Sequence, residues 1–372
     1  MIRTKNIQVF NNKIVRNRLA IFLVILIMIP AVLAGCTSKP EAVEGGSGPV
    51  IVDGTAYLST VDGRILAIDI AGGQIKWQFP SNVSDTKLKG ITSIPAVSGD
   101  TLYFGAYNGK IYALDAATGI EKWEYPRSEK LGAIIGAPLV TGDTVLVGSA
   151  DDNLYALKAD TGEAKWLRPF ATDDKIWATP TVSNNTIYIG SSDDNLYAVD
   201  LISGNKIWSF STGGAIIGDA LVADNTVYFG SFDKNFYAVN TKGELLWKFT
   251  GGDWFWARPT INNGIVYAGC TDRNLYALDA NDGSKVWQFP TSNIIQSYPI
   301  TVGDSLAVCS DDGNIYILDS ATGRSIREFS LGKPVLSPLA VEDVTIYLQS
   351  NDQILYSLDT ATGEWREICS TK

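Results

Sequence analysis

Residues 106–125 read AYNGKIYALDAATGIEKWEY: a turn, an apolar strand, a loop closing on Gly119, and a strand carrying Trp123. The unit recurs as STVDGRILAIDIAGGQIKWQF from Ser59, SADDNLYALKADTGEAKWLR from Ser149 and SSDDNLYAVDLISGNKIWSF from Ser191. It returns as SFDKNFYAVNTKGELLWKF from Ser231, CTDRNLYALDANDGSKVWQF from Cys270, SDDGNIYILDSATGRSIREF from Ser310 and SNDQILYSLDTATGEWREI from Ser350. The column Leu66, Tyr112, Tyr155, Tyr197, Tyr237, Tyr276, Tyr316 and Tyr356 advances by 46, 43, 42, 40, 39, 40 and 40 residues. Short strands repeating at this period predict an all-β chain, an eight-bladed β-propeller of four-stranded antiparallel blades with one unit per blade.

Each column has a physical role. The turn carries Asp62, Asn108, Asp151, Asp193, Asp233, Asp272, Asp312 and Asp352, residues that bond their own turn backbone. Oxygen-rich runs such as Asp151-Asp152-Asn153 invite a calcium reading, but a motif present in nearly every blade reads as turn structure, and no metal is expected. The small Ala of the Tyr-Ala-Leu-Asp strand lets sheets approach. Trp77, Trp123, Trp166, Trp208, Trp247 and Trp287 hold one position of the outermost strand. A buried Trp removes about 150–250 Å² from water, a gross gain of about 4–6 kcal/mol per ring. These six are therefore expected to dock one blade on the next. The last two blades depart: Arg327 takes the Trp position and Trp365 falls early.

The innermost strand follows a column read as Pro49, Pro95, Pro138, Pro180, Ala220, Pro259, Pro299 and Pro338. One residue earlier stand Ile94, Ala137, Thr179, Asp219, Arg258, Tyr298 and Ser337, and an Asp219–Arg258 ion pair is expected near the central channel. Three residues before the proline column come Thr92, Ile135, Trp177, Ile217, Trp256, Gln296 and Val335. The outer-to-inner connections vary most in length and content. Trp177, Trp254, Trp256 and Arg258 depart from the repeat on that face only, and are the candidate partner-binding residues. The competing reading is that these rings plug the channel mouth.

Residues 1–35 read as a signal peptide: Arg3, Lys5, Lys13, Arg16 and Arg18 with no acid, then an apolar run, then Leu33-Ala34-Gly35-Cys36. Residues 36–48 read as a flexible tether and 49–372 as the propeller. The chain has net charge −10. Loss of the basic leader makes the remainder more acidic, which disfavours nucleic acid as a partner. With no histidine anywhere, Ser-His-Asp and Cys-His chemistry and the usual zinc sites are excluded. No catalytic residue is assigned. Cys270 and Cys309 read as small buried strand residues with side chains on opposite faces rather than a disulfide.

The A-x-D-x-x-x-G-x-x-x-W run, as in Ala113 to Trp123, resembles the tryptophan-docking motif of the PQQ-type propeller repeat. The resemblance extends from Pro49 to Cys369 and covers both quinone enzymes and non-enzymatic scaffolds. Cys36 after Leu-Ala-Gly resembles a bacterial lipobox, which implies cleavage before Cys36 and lipidation of its sulfur. Lipobox, size, blade count and repeat type together are similar to the BamB family, accessory lipoproteins of the outer-membrane β-barrel assembly machine. That resemblance implies an exported, lipid-anchored scaffold, expected to be a monomer, that binds protein partners in the cell envelope. It would be anchored to the outer membrane if the cell has one, and otherwise to the outside of the cytoplasmic membrane. The alternative is a PQQ-dependent dehydrogenase or a ligand-binding sensor. Such dehydrogenases use an active-site Asp, calcium and a disulfide of adjacent cysteines. This sequence has no Cys-Cys pair and lacks their large insertions, so neither PQQ nor calcium is expected.

Overall fold

The computed structural model describes residues 47–60, 62–82, 88–335 and 337–371. The signal peptide, Cys36 and nearly all of the tether lie outside this set. The described residues form thirty-two strands in eight antiparallel sheets, each of four strands in chain order. Blade 5 is typical: Leu221–Ala223, Thr226–Gly230, Asn235–Asn240 and Leu245–Thr250 run from the channel outward. The second and third strands are almost wholly buried because both their faces meet neighbouring blades. The outermost strand is half exposed. Blade 3 departs: Leu167, Arg168 and Pro169 interrupt its outer strand, which shrinks to Phe170–Ala171. Proline has no N–H to give the ladder, and Leu167 is pushed out to 98% exposure.

The tryptophan column docks blade on blade. In blade 5, Trp247 pairs across the sheet with the small Ala238, and the outer strand bulges just beyond. Its ring lies against Gly283 of blade 6, where a Cβ would fall 2.5 Å from the indole. Gly283 also has φ of +73°, so glycine meets two demands at once. The indole N–H donates to Ala280 O of blade 6 at 3.0 Å, and Tyr228 Oη donates to the same carbonyl at 3.2 Å. Trp77, Trp123, Trp166, Trp208 and Trp287 donate to the matching carbonyl of the following blade at 2.9–3.1 Å. All six indoles thus bond a backbone carbonyl of the following blade.

Blade 1 is built wholly from the first propeller residues and blade 8 wholly from the last, so no composite blade closes the ring. Closure rests on Ala56, Leu58, Leu66 and Ile68 packed with Tyr347, Leu355 and Ile368. It rests also on Arg64 Nη2 donating to Thr371 O at 2.8 Å. Ser47 is buried and bonded to Ser59, so the fold engages the chain ahead of Pro49. In blade 8 the outer-strand bulge moves to Leu355/Tyr356. Trp365 turns back to meet Phe329 and Tyr356 edge-on rather than docking forward.

One column shifts. The inner strand of blade 8 begins at Ala340, two residues after Pro338, whereas other inner strands begin one residue after the proline position. Ser337 Oγ donates to Gln349 O, as Ser93 does to Gly105 O and Ser297 to Cys309 O, each across a separation of 12 residues. Leu339 therefore fills the proline slot of blade 8, Pro338 the channel-side slot, and Val335 the buried slot held by Ile295 in blade 7. A shared dipeptide made Pro338 look aligned; the packing sets the register one residue later.

Trp247→Ala should destabilise the ring by about 3–5 kcal/mol, the usual cost of an emptied aromatic site, seen as a lower urea midpoint. Arg327 lies beside Gly363 in the docking position, so Arg327→Trp should raise stability by about 0.5–2 kcal/mol, seen as a higher urea midpoint.

Candidate docking face and channel mouth

The turn aspartates fasten the connections to the blades. Asp193 Oδ1 accepts Asn195 N–H at 3.0 Å, while Oδ2 accepts Tyr197 Oη–H at 2.7 Å and Asp173 N–H of the incoming connection at 2.9 Å. Asp233, Asp272 and Asp312 repeat this with Tyr237 and Gly213, Tyr276 and Gly252, and Tyr316 and Ser292. Burial and the adjacent carboxylate hold these phenols above their ordinary pKa. In blade 2 the polarity reverses, and Asn108 Nδ2 donates to Tyr112 Oη at 2.7 Å. Among the described residues no group of three or more His, Cys, Asp or Glu side chains is placed to hold a metal. Cys270 and Cys309 are free and buried, and burial pushes the Cys270 thiol up to about 12.

Trp177, Trp254 and Trp256 do come together, around a residue the sequence reading passed over. Phe232 stacks on Trp254 with ring centroids 4.5 Å apart and planes 6° off parallel, and meets Trp256 at 5.4 Å. Phe232, Ala215 and Ile217 form the buried floor, with the three tryptophans partly exposed over it. The signal was present: the same turn position holds Ala150, Ser192, Thr271 and Asp311 in blades 3, 4, 6 and 7, and another aromatic, Tyr107, in blade 2. The rings thus both close over Phe232 and present aromatic surface. Phe255, between Trp254 and Trp256, points the other way into the core.

The expected Asp219–Arg258 ion pair does not form. Asp219 Oδ1 instead accepts the Thr179 N–H at 2.6 Å from blade 4, and Arg258 is exposed. Burial raises the Asp219 pKa, with the Thr179 bond and the charge of Arg258 partly offsetting it. Tyr298 of blade 7 senses both charges, and burial pushes its phenol up to about 12.

A second group at the mouth was also missed. Asp311 Oδ2 accepts Gln296 Nε2–H at 2.8 Å, while Oδ1 is buried with no hydrogen-bond partner. Trp177 Nε1 and Thr92 Oγ1 are likewise buried and unpaired.

The indole-on-glycine docking, repeated around a closed ring of eight blades, defines a propeller of the PQQ-repeat class. The chain belongs to the family described as outer membrane protein assembly factor BamB, whose model matches residues 37–210, 197–302 and 292–366. No curated protein gives a significant sequence match. Among solved structures it is similar to BamB from Moraxella catarrhalis, at 22% identity and TM-score 0.69, covering 90% of this chain and 98% of that one. The computationally designed protein Ika8 matches at 17% identity and TM-score 0.74, covering 84% and 96%. A quinohemoprotein alcohol dehydrogenase from Comamonas testosteroni matches at 18% identity and TM-score 0.68, covering 82% and 71%. At these identities the structural likenesses establish the fold.

Burial pushes Asp311 up to about 6, partly offset by Gln296. The folded chain therefore holds this proton more tightly than the unfolded chain, and the site's contribution to stability falls as pH rises from about 4 through 6. Asp311→Asn should flatten that slope and raise stability at pH 7.5 by on the order of 1–2 kcal/mol, read by denaturant titration across pH.

Proposed function

We propose that this protein is a lipid-anchored, extracytoplasmic scaffold that binds a protein partner in outer-membrane protein assembly, in the manner its family's description states. The observation that carries this reading is the aromatic cluster of Trp177, Trp254 and Trp256 on a chain matched by the family model over nearly its whole length. The repeat needs no such rings: other blades place Thr92, Ile135, Ile217 and Gln296 at the position of Trp177 and Trp256 and still close. Partly exposed tryptophans over a rigid floor are the usual material of interface hot spots. The opposite face, with its short turns and glycine column, offers no comparable departure.

Anchoring follows from the leader. Cys36 lies outside the described residues, and its assignment rests on the basic, apolar, Leu-Ala-Gly-Cys order. Two or more acyl chains give stable membrane attachment. Mass spectrometry of the membrane fraction should find a mature chain beginning at a lipid-modified Cys36. A chain beginning elsewhere, or Cys36→Ser remaining processed and membrane-bound, overturns the anchor.

The docking face is tested by binding to the source cell's own outer-membrane barrel-assembly protein. Trp254→Ala with Trp256→Ala should weaken capture by about 2 kcal/mol or more, with a modest loss of melting temperature because Phe232 is uncovered. Phe232→Leu is the packing control, expected to lower melting while retaining capture. Full capture by the double tryptophan variant would place docking elsewhere. A rise in melting temperature with PQQ and calcium would favour the dehydrogenase reading instead.

A further inference from the structure

Blade 2 departs from the repeat in its turn. Every other blade puts an aspartate there, from Asp62 to Asp352, and blade 2 puts Asn108. Asn108 keeps the turn's bonding without its charge. Its Oδ1 accepts the Lys110 N–H at 3.0 Å, and its Nδ2 donates to Tyr112 Oη at 2.7 Å. The same turn lines a pocket of about 470 Å³ together with Lys89, Lys110 and Lys130. Three ammonium groups thus share a pocket with the one turn that lacks the repeat's negative charge, in a chain of net charge −10. Asparagine alone is ordinary turn chemistry. Its coincidence with three lysines in one pocket carries the inference.

Backbone bonds fix the lysines around that turn. Gly90 O accepts the Tyr107 N–H at 3.1 Å, and the buried Leu88 and Ile91 hold the incoming connection on either side of Lys89. The Leu131 N–H, next to Lys130, donates to Gly109 O at 2.8 Å. Lys110 follows Gly109 directly. Of its three N–H donors, one goes to Glu124 Oε1. Lys89 and Lys130 are exposed, and among the described residues no carboxylate pairs with either.

We propose that this pocket binds a phosphomonoester of a small polyol, such as a sugar phosphate, with the phosphate oxygens on Lys89, Lys110 and Lys130. A phosphomonoester carries close to two charges and three strong acceptor oxygens. Lysine is a compact point charge whose donors can gather round a tetrahedral anion, whereas a planar carboxylate is best met by the fork of an arginine. Among the described residues no arginine lines this pocket. Its volume lies in the ordinary range for a small-ligand site, about 300–1,000 Å³, and leaves room beside a phosphate for the polyol. Glu129 also lines the pocket and opposes an anion, which supplies a test of sign. A soluble ester and a lipid headgroup can both present this chemistry. The pocket shares no residue with the aromatic cluster, so it depends on neither the protein partner nor the lipid anchor.

The test is calorimetric titration of the purified full chain, in detergent at about 0.15 M salt, with glucose-1-phosphate, glucose and hexaglutamate. Glucose-1-phosphate should bind saturably, with glucose weaker by at least about tenfold. Lys89→Gln and Lys130→Gln, at exposed positions, should each weaken the ester by about tenfold and leave melting unchanged. Asn108→Asp restores the residue used by every other blade, so it should keep the fold and still weaken the ester by about tenfold. Glu129→Gln should tighten it by about two- to fivefold. Phosphatidic acid in mixed micelles displacing the ester more effectively than glycerol-3-phosphate would support a lipid headgroup as the source, and the reverse order a soluble ester. The proposal is overturned if glucose-1-phosphate gives no saturable heat, or if Asn108→Asp or the two lysine variants bind it normally. Hexaglutamate binding more tightly than the ester would give the lysines to an acidic protein segment and also overturn it. Trp254→Ala with Trp256→Ala should leave ester binding intact, so this proposal and the docking face fail separately.

Discussion

The structure depends on an indole lying on a glycine. Each docking tryptophan buries its ring against the next blade and spends its one donor on that blade's backbone carbonyl, as Trp247 does on Gly283 and Ala280 O. A larger residue at the glycine would strike the ring, and a ring without N–H would leave a buried carbonyl short of a partner. The tyrosine of the second strand meets the same carbonyl in blades 1, 2, 5 and 6. Docking thus combines a large apolar burial with a directional bond, and sets the angle between blades as well as their adhesion.

The seam between blades 8 and 1 lacks this device. Gly73 faces the Ile368 carbonyl rather than a tryptophan, and closure passes to an aliphatic cluster and to Arg64, whose guanidinium spans Asp62 and Thr371 O. With no strand exchanged between the first and last blades, side-chain packing holds the ring shut. Trp365 faces backward for the same reason. Its strand reaches the edge with a displaced bulge, and the nearest apolar wall is Phe329 of blade 7.

A ring locked in this way leaves its connections free to differ. In blades 3 to 7 the turn aspartate holds the incoming connection at one point, bonding a backbone N–H of that connection and a tyrosine hydroxyl of its own blade, and the exposed side chains beyond that point are free to differ. The aromatic cluster and the Asp311–Gln296 pair lie in this unconstrained zone. A rigid scaffold bearing variable loops is how propellers acquire binding surfaces, and the family to which this chain belongs is described by an assembly role rather than a reaction.

The eight units, their four strands, the docking tryptophans and the turn aspartates were all readable from residue spacing, because each is set within a single unit of about forty residues that repeats. So was the gathering of Trp177, Trp254 and Trp256 on one face. Most of what sequence reading missed involves residues from different blades, and the Gln296–Asp311 pair joins two connections of blade 7. Phe232 reaches Trp254 across a blade boundary, Asp219 turns to Thr179 rather than Arg258, and Gln296 takes one oxygen of Asp311. The register of blade 8 was misread because Pro338 and Leu339 differ by one position, and only the Ser337–Gln349 bond shows which residue fills the slot. Local chemistry written eight times over determined the architecture. The pairings at the mouth and along the channel were decided by the closed ring, which brings together side chains that no spacing along the chain relates.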